Sequence, residues 1–267
     1  MKDAVKRSKG NKKKALDSKQ RWKEQAKKKR KTVSLLALCA LAPLALLCLL
    51  YPLHTLGYFR LWQPTALSKA LANPGQAEKL DLTAQFLDEV PPDIAKLTNL
   101  KRLTLDSNQL GTLGDSLWKL QKLQVLNLNN VDIRTIPPEI GALTELRELS
   151  VSNNQISELP KELFSLSKLE VLTINSNALT SIPPDIKKLS NLKVLNLKYN
   201  RLTAVPEEIA SLKSLEQLSL TGNAIGTMPN LSGLKNLKNL AVRKTSLTPG
   251  QVKVIKNQLS TEVTVKS

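Results

Sequence analysis

Pairs of apolar residues separated by one other residue recur along the chain at a nearly constant interval. Successive pairs are 23 residues apart, except for a last step of 22: Leu80/Leu82, Leu103/Leu105, Leu126/Leu128, Leu149/Val151, Leu172/Ile174, Leu195/Leu197, Leu218/Leu220 and Leu240/Val242. The alternation predicts a short β-strand at each pair, with the apolar side chains turned inward. A unit this small cannot bury its own apolar side, so the units must stack into one elongated array.

An asparagine follows most of these strands, where the chain must turn. It stands at Asn108, Asn154, Asn177, Asn200 and Asn223. A buried amide there can bond backbone groups that no strand partner satisfies, so the five residues predict a structural asparagine ladder.

Three units lack the ladder asparagine. Gln85, Val131 and Thr245 replace it, and Gln85 and Thr245 belong to terminal units, where irregular caps are expected. Val131 is internal, and the sequence leaves two interpretations open: Asn130 takes the backbone role by a local shift, or the loop is looser there.

The second half of each unit carries a proline followed by an acid. The runs at 136–143, 182–189 and 205–212 all have this form, whereas 113–115 lacks the proline. Proline loses no hydrogen bond at a first helical position, and a carboxylate complements a helix N-terminus. The pattern predicts short helices or 3₁₀ turns opposite the strands.

The combined pattern LxxLxLxxNxLxxLPxxIxxL resembles the leucine-rich repeat family, in the 23-residue form of Ras-group-like and many bacterial repeat proteins. The resemblance covers Lys79 to about Val242. It implies an α/β solenoid with parallel strands on a concave face and short helices or 3₁₀ turns on a convex face. It also implies a protein-binding scaffold rather than an enzyme.

Both ends of the array carry signals for caps, which terminal repeats need to hide their apolar edges. Thr65 is placed to cap a helix from about Ala66 to Ala72, with Asn73-Pro74 as its stop. Thr248 is placed to cap a helix from about Pro249 to Leu259, and a final strand is expected at Glu262 to Val265.

The chain before the repeats predicts a membrane anchor. From Thr32 to Phe59 no side chain is charged, and Val33 to Leu53 is the densest apolar part. About 20 helical residues cross the ~30 Å hydrocarbon core of a bilayer. We therefore divide the chain into a basic tail (1–31), a transmembrane helix (32–55), a linker with cap helix (56–78), repeats (79–246) and a C-terminal cap (247–267).

The charge distribution orients this anchor. Of a formal net charge of +18, residues 1–31 hold 15 Lys and Arg against three acids. The positive-inside rule then predicts a cytoplasmic N-terminus and repeats on the far side. Animal extracellular members of the family that the repeats resemble often carry disulfide-bonded caps, and the repeats here have no Cys, so the resemblance implies a bacterial inner membrane with the repeats in the periplasm, or a protein that faces a reducing space. The alternative is secretion after cleavage of the apolar run as a signal peptide. We expect the tail to set topology and contact anionic lipid headgroups rather than nucleic acid, because Trp22 is its only aromatic residue.

The repeat region offers no residue set for catalysis. It contains no His and no Cys, which removes Ser-His, Cys-His and zinc chemistry. Adjacent acids such as Asp88/Glu89 and Glu207/Glu208 have the character of solvated turns. We predict no enzyme activity, no cofactor and no metal site.

Binding is therefore expected on the concave strand face. Its candidate residues are mostly small and polar, with one aromatic: Thr104, Asp106, Asn127, Asn129, Ser150, Ser152, Thr173, Asn175, Asn196, Lys198, Tyr199, Ser219, Thr221 and Arg243. Two functions fit this face. The first is a protein-interaction scaffold, and the alternative is an envelope structural protein that holds glycan or cell wall.

Overall fold

The computed structural model describes residues 65–259 and 261–267. The basic tail, the predicted transmembrane helix with Val33 to Leu53, and the linker up to residue 64 lie outside the described residues. Within the described part, no helix has the length and hydropathy needed to cross a membrane.

The described residues form a parallel sheet with nine strands in sequence order. The strands are β1 (Lys79–Asp81), β2 (Arg102–Thr104), β3 (Val125–Asn127), β4 (Glu148–Ser150), β5 (Val171–Thr173), β6 (Val194–Asn196), β7 (Gln217–Ser219), β8 (Asn239–Ala241) and β9 (Thr264–Lys266). Each strand pairs in register with the equivalent residues of the next unit, as Leu103 does with Leu126. The sequence period therefore maps directly onto the pairing register, and the predicted solenoid of parallel strands is confirmed.

The repeated apolar positions form one continuous core. The central residues of β2 to β8, from Leu103 to Leu240, are at most 1% exposed. Leu105, Leu128 and Val151, which follow their strands by one residue, are equally buried. Full burial of such a side chain contributes about 1.5–3 kcal/mol, so stacking supplies the stability that a single unit lacks.

Short 3₁₀ helices run opposite the strands, as the proline pattern predicts. Five of them are five residues long: Pro92–Lys96, Pro138–Ala142, Lys161–Ser165, Pro184–Lys188 and Glu207–Ser211. The unit without proline forms a shorter one, Leu117–Lys119, which starts from Ser116 in a helical conformation. A proline precedes each of the five longer turns as its N-cap, and in three of them a second proline is the first helical residue, where its φ is already helical.

Both ends of the sheet carry an α-helix. Helix α1 (Ala66–Ala72) starts at Thr65, whose side chain accepts a hydrogen bond from the Ser68 amide. Leu67 and Leu71 of α1 pack against the core.

Helix α2 (Pro249–Gln258) begins with a capping box formed by Thr248 and Gln251. It ends one residue before the predicted Leu259, which is its C-cap. The last strand lies at Thr264–Lys266 rather than Glu262 to Val265, because the Thr264 amide bonds the Lys238 carbonyl and so sets the register with β8.

Candidate functional site

The outward side of the sheet is the concave face of the solenoid, and it carries the candidate binding residues. In β1, β2 and β4 the buried central leucine lies between two residues that face solvent, whereas in β3 Val125 is buried beside Leu126. Most of the candidate residues are half-buried, whereas Tyr199 and Arg243 are exposed. The fold therefore brings the predicted residues onto one surface.

The five ladder asparagines lie behind this face and tie consecutive units together. Asn177 Nδ2 donates to the Val151 carbonyl at 2.9 Å, and Asn177 Oδ1 accepts from the Ile156 amide at 3.0 Å. Each of the others makes the same two bonds to the preceding unit. These amides hold the turns of five units and so help to fix the shape of the concave face.

The gap at Val131 is not filled by its neighbour. Asn130 is exposed, with φ 55°, and its side chain bonds no described residue; the Val131 side chain is fully buried. Val131 occupies the place from which an asparagine would reach the Leu110 amide, and within the described residues that amide forms no hydrogen bond. The interpretation in which Asn130 takes over the role is therefore wrong.

A hydrogen-bonded network covers the middle of the concave face. Asp106 accepts from the Asn129 amide at 2.8 Å and from its side chain at 3.0 Å. Asn129 Oδ1 in turn accepts from the Ser152 amide and from Ser150 Oγ. These contacts run from unit to unit and leave the polar side chains held in fixed positions before any ligand arrives.

Ser152 departs from the prediction that it faces solvent. Its side chain is only 8% exposed, because it lies between the equivalent residues of the two flanking units. Its Oγ and Asn196 Oδ1 are the two buried side-chain oxygens without a hydrogen-bond partner in the described residues. Such atoms carry an uncompensated desolvation cost.

Asp81 lies at the N-terminal end of the concave face. Hydrogen bonds from the Thr83 hydroxyl at 2.6 Å and the Thr83 amide at 2.9 Å hold the pKa of its carboxyl below the ordinary value. The charged form is therefore the one that this turn stabilises.

Tyr199 is the exposed aromatic residue of the concave edge. It follows β6 with φ 54° and is 52% exposed. Its ring lies against Gly222 of the next unit, where an added Cβ would come within 2.4 Å of Tyr199 Cδ1. Because Gly222 has no side chain, the Tyr199 ring can pack directly on its backbone.

A row of ion pairs runs along the beginning of the strands, and the sequence reasoning above did not identify it. Lys101 pairs with Glu78, and Glu170 accepts from both Arg147 and Lys193 at 2.6–2.7 Å. Lys238 pairs with Glu216 at the far end. The signal was present, since these residues occupy one position of the repeat, and when the units are aligned their signs alternate from Arg147 to Lys238 and from Glu78 to Lys101, with uncharged Gln124 in between.

These ion pairs shift the titration of their carboxyls. Hydrogen bonds from Lys193 and then Arg147 lower the pKa of Glu170, and the bond from Lys101 lowers that of Glu78. The Glu170 bond also raises the pKa of Lys193. The row is structural, because each of its carboxylates is held by at least one basic side chain of a neighbouring unit.

The described residues contain no group of three or more His, Cys, Asp or Glu side chains that could hold a metal ion. The concave face presents fixed polar groups on a continuous sheet.

Two family models match the chain. A leucine-rich repeat region model matches residues 112–197 and 138–261, and a leucine rich repeat model matches residues 76–133. A comparison with curated proteins finds no significant match.

Solved structures share the fold. A leucine-rich repeat protein of Leptospira interrogans is 32% identical with a TM-score of 0.64, over 76% of this chain and 57% of that one. The ectodomain of the receptor kinase GASSHO1/SCHENGEN3 from Arabidopsis thaliana, in complex with CASPARIAN STRIP INTEGRITY FACTOR 2, is 32% identical with a TM-score of 0.57, over 64% of this chain and 22% of that one. An internalin from Listeria monocytogenes is 23% identical with a TM-score of 0.58, over 74% of this chain and 62% of that one. The chain thus spans less than two thirds of the length of each of these three structures.

Proposed function

The chain belongs to the leucine-rich repeat family, and on that premise we propose that it is a non-enzymatic scaffold that binds another protein on its concave face. Leucine-rich repeat domains typically bind protein partners. The observation that carries the proposal is the continuous sheet of nine strands with its network of fixed polar side chains. A rigid surface of this kind loses little conformational entropy when a partner binds.

We further propose that Val33 to Leu53 holds the scaffold at a membrane with its repeats on the far side from the basic tail. The support is the uncharged stretch from Thr32 to Phe59 with the basic block Lys27–Lys31 on one flank. Protease added to intact bacterial spheroplasts that express the full-length chain should then degrade the repeats. Protection of the repeats until the membrane is permeabilised would place them in the cytoplasm.

The binding proposal is tested by photo-crosslinking of the purified full-length protein in an envelope extract. Thr173 lies at the end of β5 in the middle of the concave face, and Thr180 is an exposed residue of the same unit outside the strand. Replacing Thr173 by Arg puts a long charged side chain on the proposed interface, so T173R should abolish a crosslinked protein band that T180R retains.

Purified wall polymer serves as the second arm of this experiment, because small polar residues also suit glycan recognition. A sedimentation assay that retains the wild-type chain and T180R but not T173R on wall polymer, with no crosslinked protein, would replace the protein-binding proposal with the glycan alternative. Identical crosslinking by the two variants would show that the concave face is not the binding surface.

A further inference from the structure

Charge is distributed unevenly along the array. Residues 65–192, which hold β1 to β5, carry 13 Lys and Arg against 15 Asp and Glu. Residues 193–267, which hold β6 to β9, carry 11 Lys and Arg against four acids. The formal charge therefore changes from −2 to +7 between two halves built on the same repeat.

The same polarity appears on the concave face. In its N-terminal part, the outward positions of β1 to β5 and the residues that directly follow carry both signs, with Asp81, Asp106 and Glu148 against Lys79 and Arg102. At the C-terminal part the outward positions of β6 to β9 and the residues that directly follow carry only basic charges, contributed by Lys198, Arg243, Lys244 and Lys266.

These four basic residues are not neutralised within the described chain. None of them forms an ion pair with a described residue, although the neighbouring Lys193 and Lys238 at the start of the same strands pair with Glu170 and Glu216. Arg243, Lys244 and Lys266 are exposed, and Lys198 is half-buried. The face thus keeps its charges available while the row beside it does not.

The spacing of the charges is set by the sheet. Tyr199 N bonds the Thr221 carbonyl, and Gly222 N bonds the Arg243 carbonyl, so Lys198, Thr221 and Arg243 occupy equivalent positions on three adjacent strands. Adjacent strands lie about 4.8 Å apart, which separates the Lys198 and Arg243 backbones by roughly 10 Å. Tyr199, Gly222 and Lys244 occupy the position of the repeat that directly follows these three residues. The half-exposed Tyr199 ring packs on Gly222, and Lys244 lies one unit beyond Gly222.

We propose that this basic end, defined as Lys198, Tyr199, Arg243, Lys244 and Lys266, binds a short acidic segment of the partner protein in extended conformation. In the polyproline II form, an extended chain has three residues per turn and advances about 3.1 Å per residue, so carboxylates three residues apart lie on the same side and match the roughly 10 Å between Lys198 and Arg243. The Tyr199 ring, beside Lys198, offers an apolar surface to a neighbouring residue of the segment. The inference rests on the proposed function, since it assigns the chemistry of the partner on that same face.

A long polyanion fits the face less well than a short peptide segment does. A nucleic acid or wall polymer lying along the sheet would pass from the basic end onto a part of the face where Asp81, Asp106 and Glu148 outnumber Lys79 and Arg102, so it would gain no net attraction there. A short segment confined to β6 to β9 stays on the basic part of the face. The charge polarity therefore selects both the sign and the length of the ligand.

The experiment uses the purified full-length protein and fluorescence anisotropy of a labelled peptide built of Glu-Ser-Gly repeats, which places a carboxylate at every third residue. The double variant K198E/R243E replaces two attractions by two repulsions and should weaken binding about tenfold or more. The matched control K213E/K235E makes the same change of net charge at two exposed lysines outside the strands. It should leave affinity within about twofold, because charges beyond the ~8 Å Debye length are screened at physiological salt.

Three results would overturn the proposal. The first would be an equal loss of affinity in K198E/R243E and K213E/K235E, which would mean that only the net charge of the protein matters. Equal binding of a Gln-Ser-Gly peptide would likewise mean that the basic end does not recognise carboxylates. The third is tighter binding of inorganic polyphosphate than of the peptide with the same loss in K198E/R243E, which would assign the basic end to polyanions. If T173R still abolishes the crosslinked partner while the peptide fails to bind, the proposed function stands and only its acidic ligand is wrong.

Discussion

At the level of single residues, the ladder asparagines recur clearly in the sequence, and each side chain makes several hydrogen bonds to backbone groups. Asn177 is half-buried, and its amide joins two units through the Val151 carbonyl and the Ile156 amide. Asn177→Ala should cost on the order of 1–3 kcal/mol, because it leaves buried backbone groups without partners. For an array of this size we expect a Tm lower by about 2–4 °C per kcal/mol in thermal unfolding followed by circular dichroism.

The control for this prediction is Asn191→Ala. Asn191 is exposed and donates one bond to the Ser167 carbonyl, so its loss leaves a group that water can satisfy. A Tm for N177A no lower than that of N191A would show that the ladder does not stabilise the array.

Val131 offers the converse experiment. Val131→Asn should place Oδ1 near the unbonded Leu110 amide and Nδ2 near the Leu105 carbonyl, as Asn154 does one unit later for Ile133 and Leu128. Gaining these bonds offsets the loss of a buried valine, so we expect a free energy of unfolding within about 1 kcal/mol of wild type.

The same substitution at Val151 is its matched control. Val151 is also fully buried, but its side chain points into the apolar core beside Leu149. An unpaired amide there costs about 2–7 kcal/mol. Equal destabilisation by V131N and V151N in chemical denaturation would show that the ladder position at 131 cannot accept an asparagine.

Single residues also mark where sequence reasoning stops. The ladder could be predicted because one residue type recurs at one position. The burial of Ser152 could not, since it depends on the bulk of side chains in two flanking units. Nor could the packing of Tyr199 on Gly222, which requires a left-handed backbone at both positions, with φ 54° and 75°.

At the level of elements, the period predicted β1 to β8 because register and repeat coincide: Leu149 pairs with Leu172 since both fill the same place in the unit. The proline pattern predicted the five longer 3₁₀ helices. The final strand was displaced, because β9 has no repeat unit of its own and is positioned only by its pairing with β8.

The ion pairs between neighbouring strands make the stability of the array depend on pH. The folded state lowers the pKa of Glu170 from 4.5, so this residue contributes stability at pH values above 4.5 and loses it as the pH falls through the folded-state value. Glu170→Gln should therefore lower Tm at neutral pH, and its difference from wild type should shrink on acidification.

Glu148→Gln is the control for this pH series. Glu148 is exposed on β4 and forms no ion pair with a described residue. We expect its Tm to follow wild type across the same pH range. A difference between E170Q and wild type that stays constant down to acid pH would mean that lost packing, not lost charge, causes the effect.

At the level of the whole molecule, the array behaves as a stack of nearly interchangeable units in which each contacts its neighbours. The units differ in the ion-pair row, because Arg147, Glu170 and Lys193 alternate in sign across three consecutive units. Each exposed pair favours one neighbour over another by about 0.2–1 kcal/mol, whereas the apolar core alone would accept many orders.

A deletion of one whole unit tests both statements. Removing residues 170–192 joins Leu169 to Lys193, keeps the 23-residue spacing and brings β4 beside β6. We expect the shortened chain to fold with the same circular dichroism per residue and a lower Tm, because one interface between units is lost. Failure to fold would show that the units are not interchangeable.

The deletion also places Arg147 opposite Lys193, where Glu170 had separated them. Arg147→Glu should therefore have opposite effects in the two backgrounds. In the full-length chain it opposes Glu170 and lowers Tm, whereas in the shortened chain it pairs with Lys193 and raises Tm. Exposed pairs contribute about 0.2–1 kcal/mol, so shifts of one to a few degrees are expected in each direction. A change of the same sign in both backgrounds would mean that position 147 acts through its own unit, and that the alternating row does not govern the order of units.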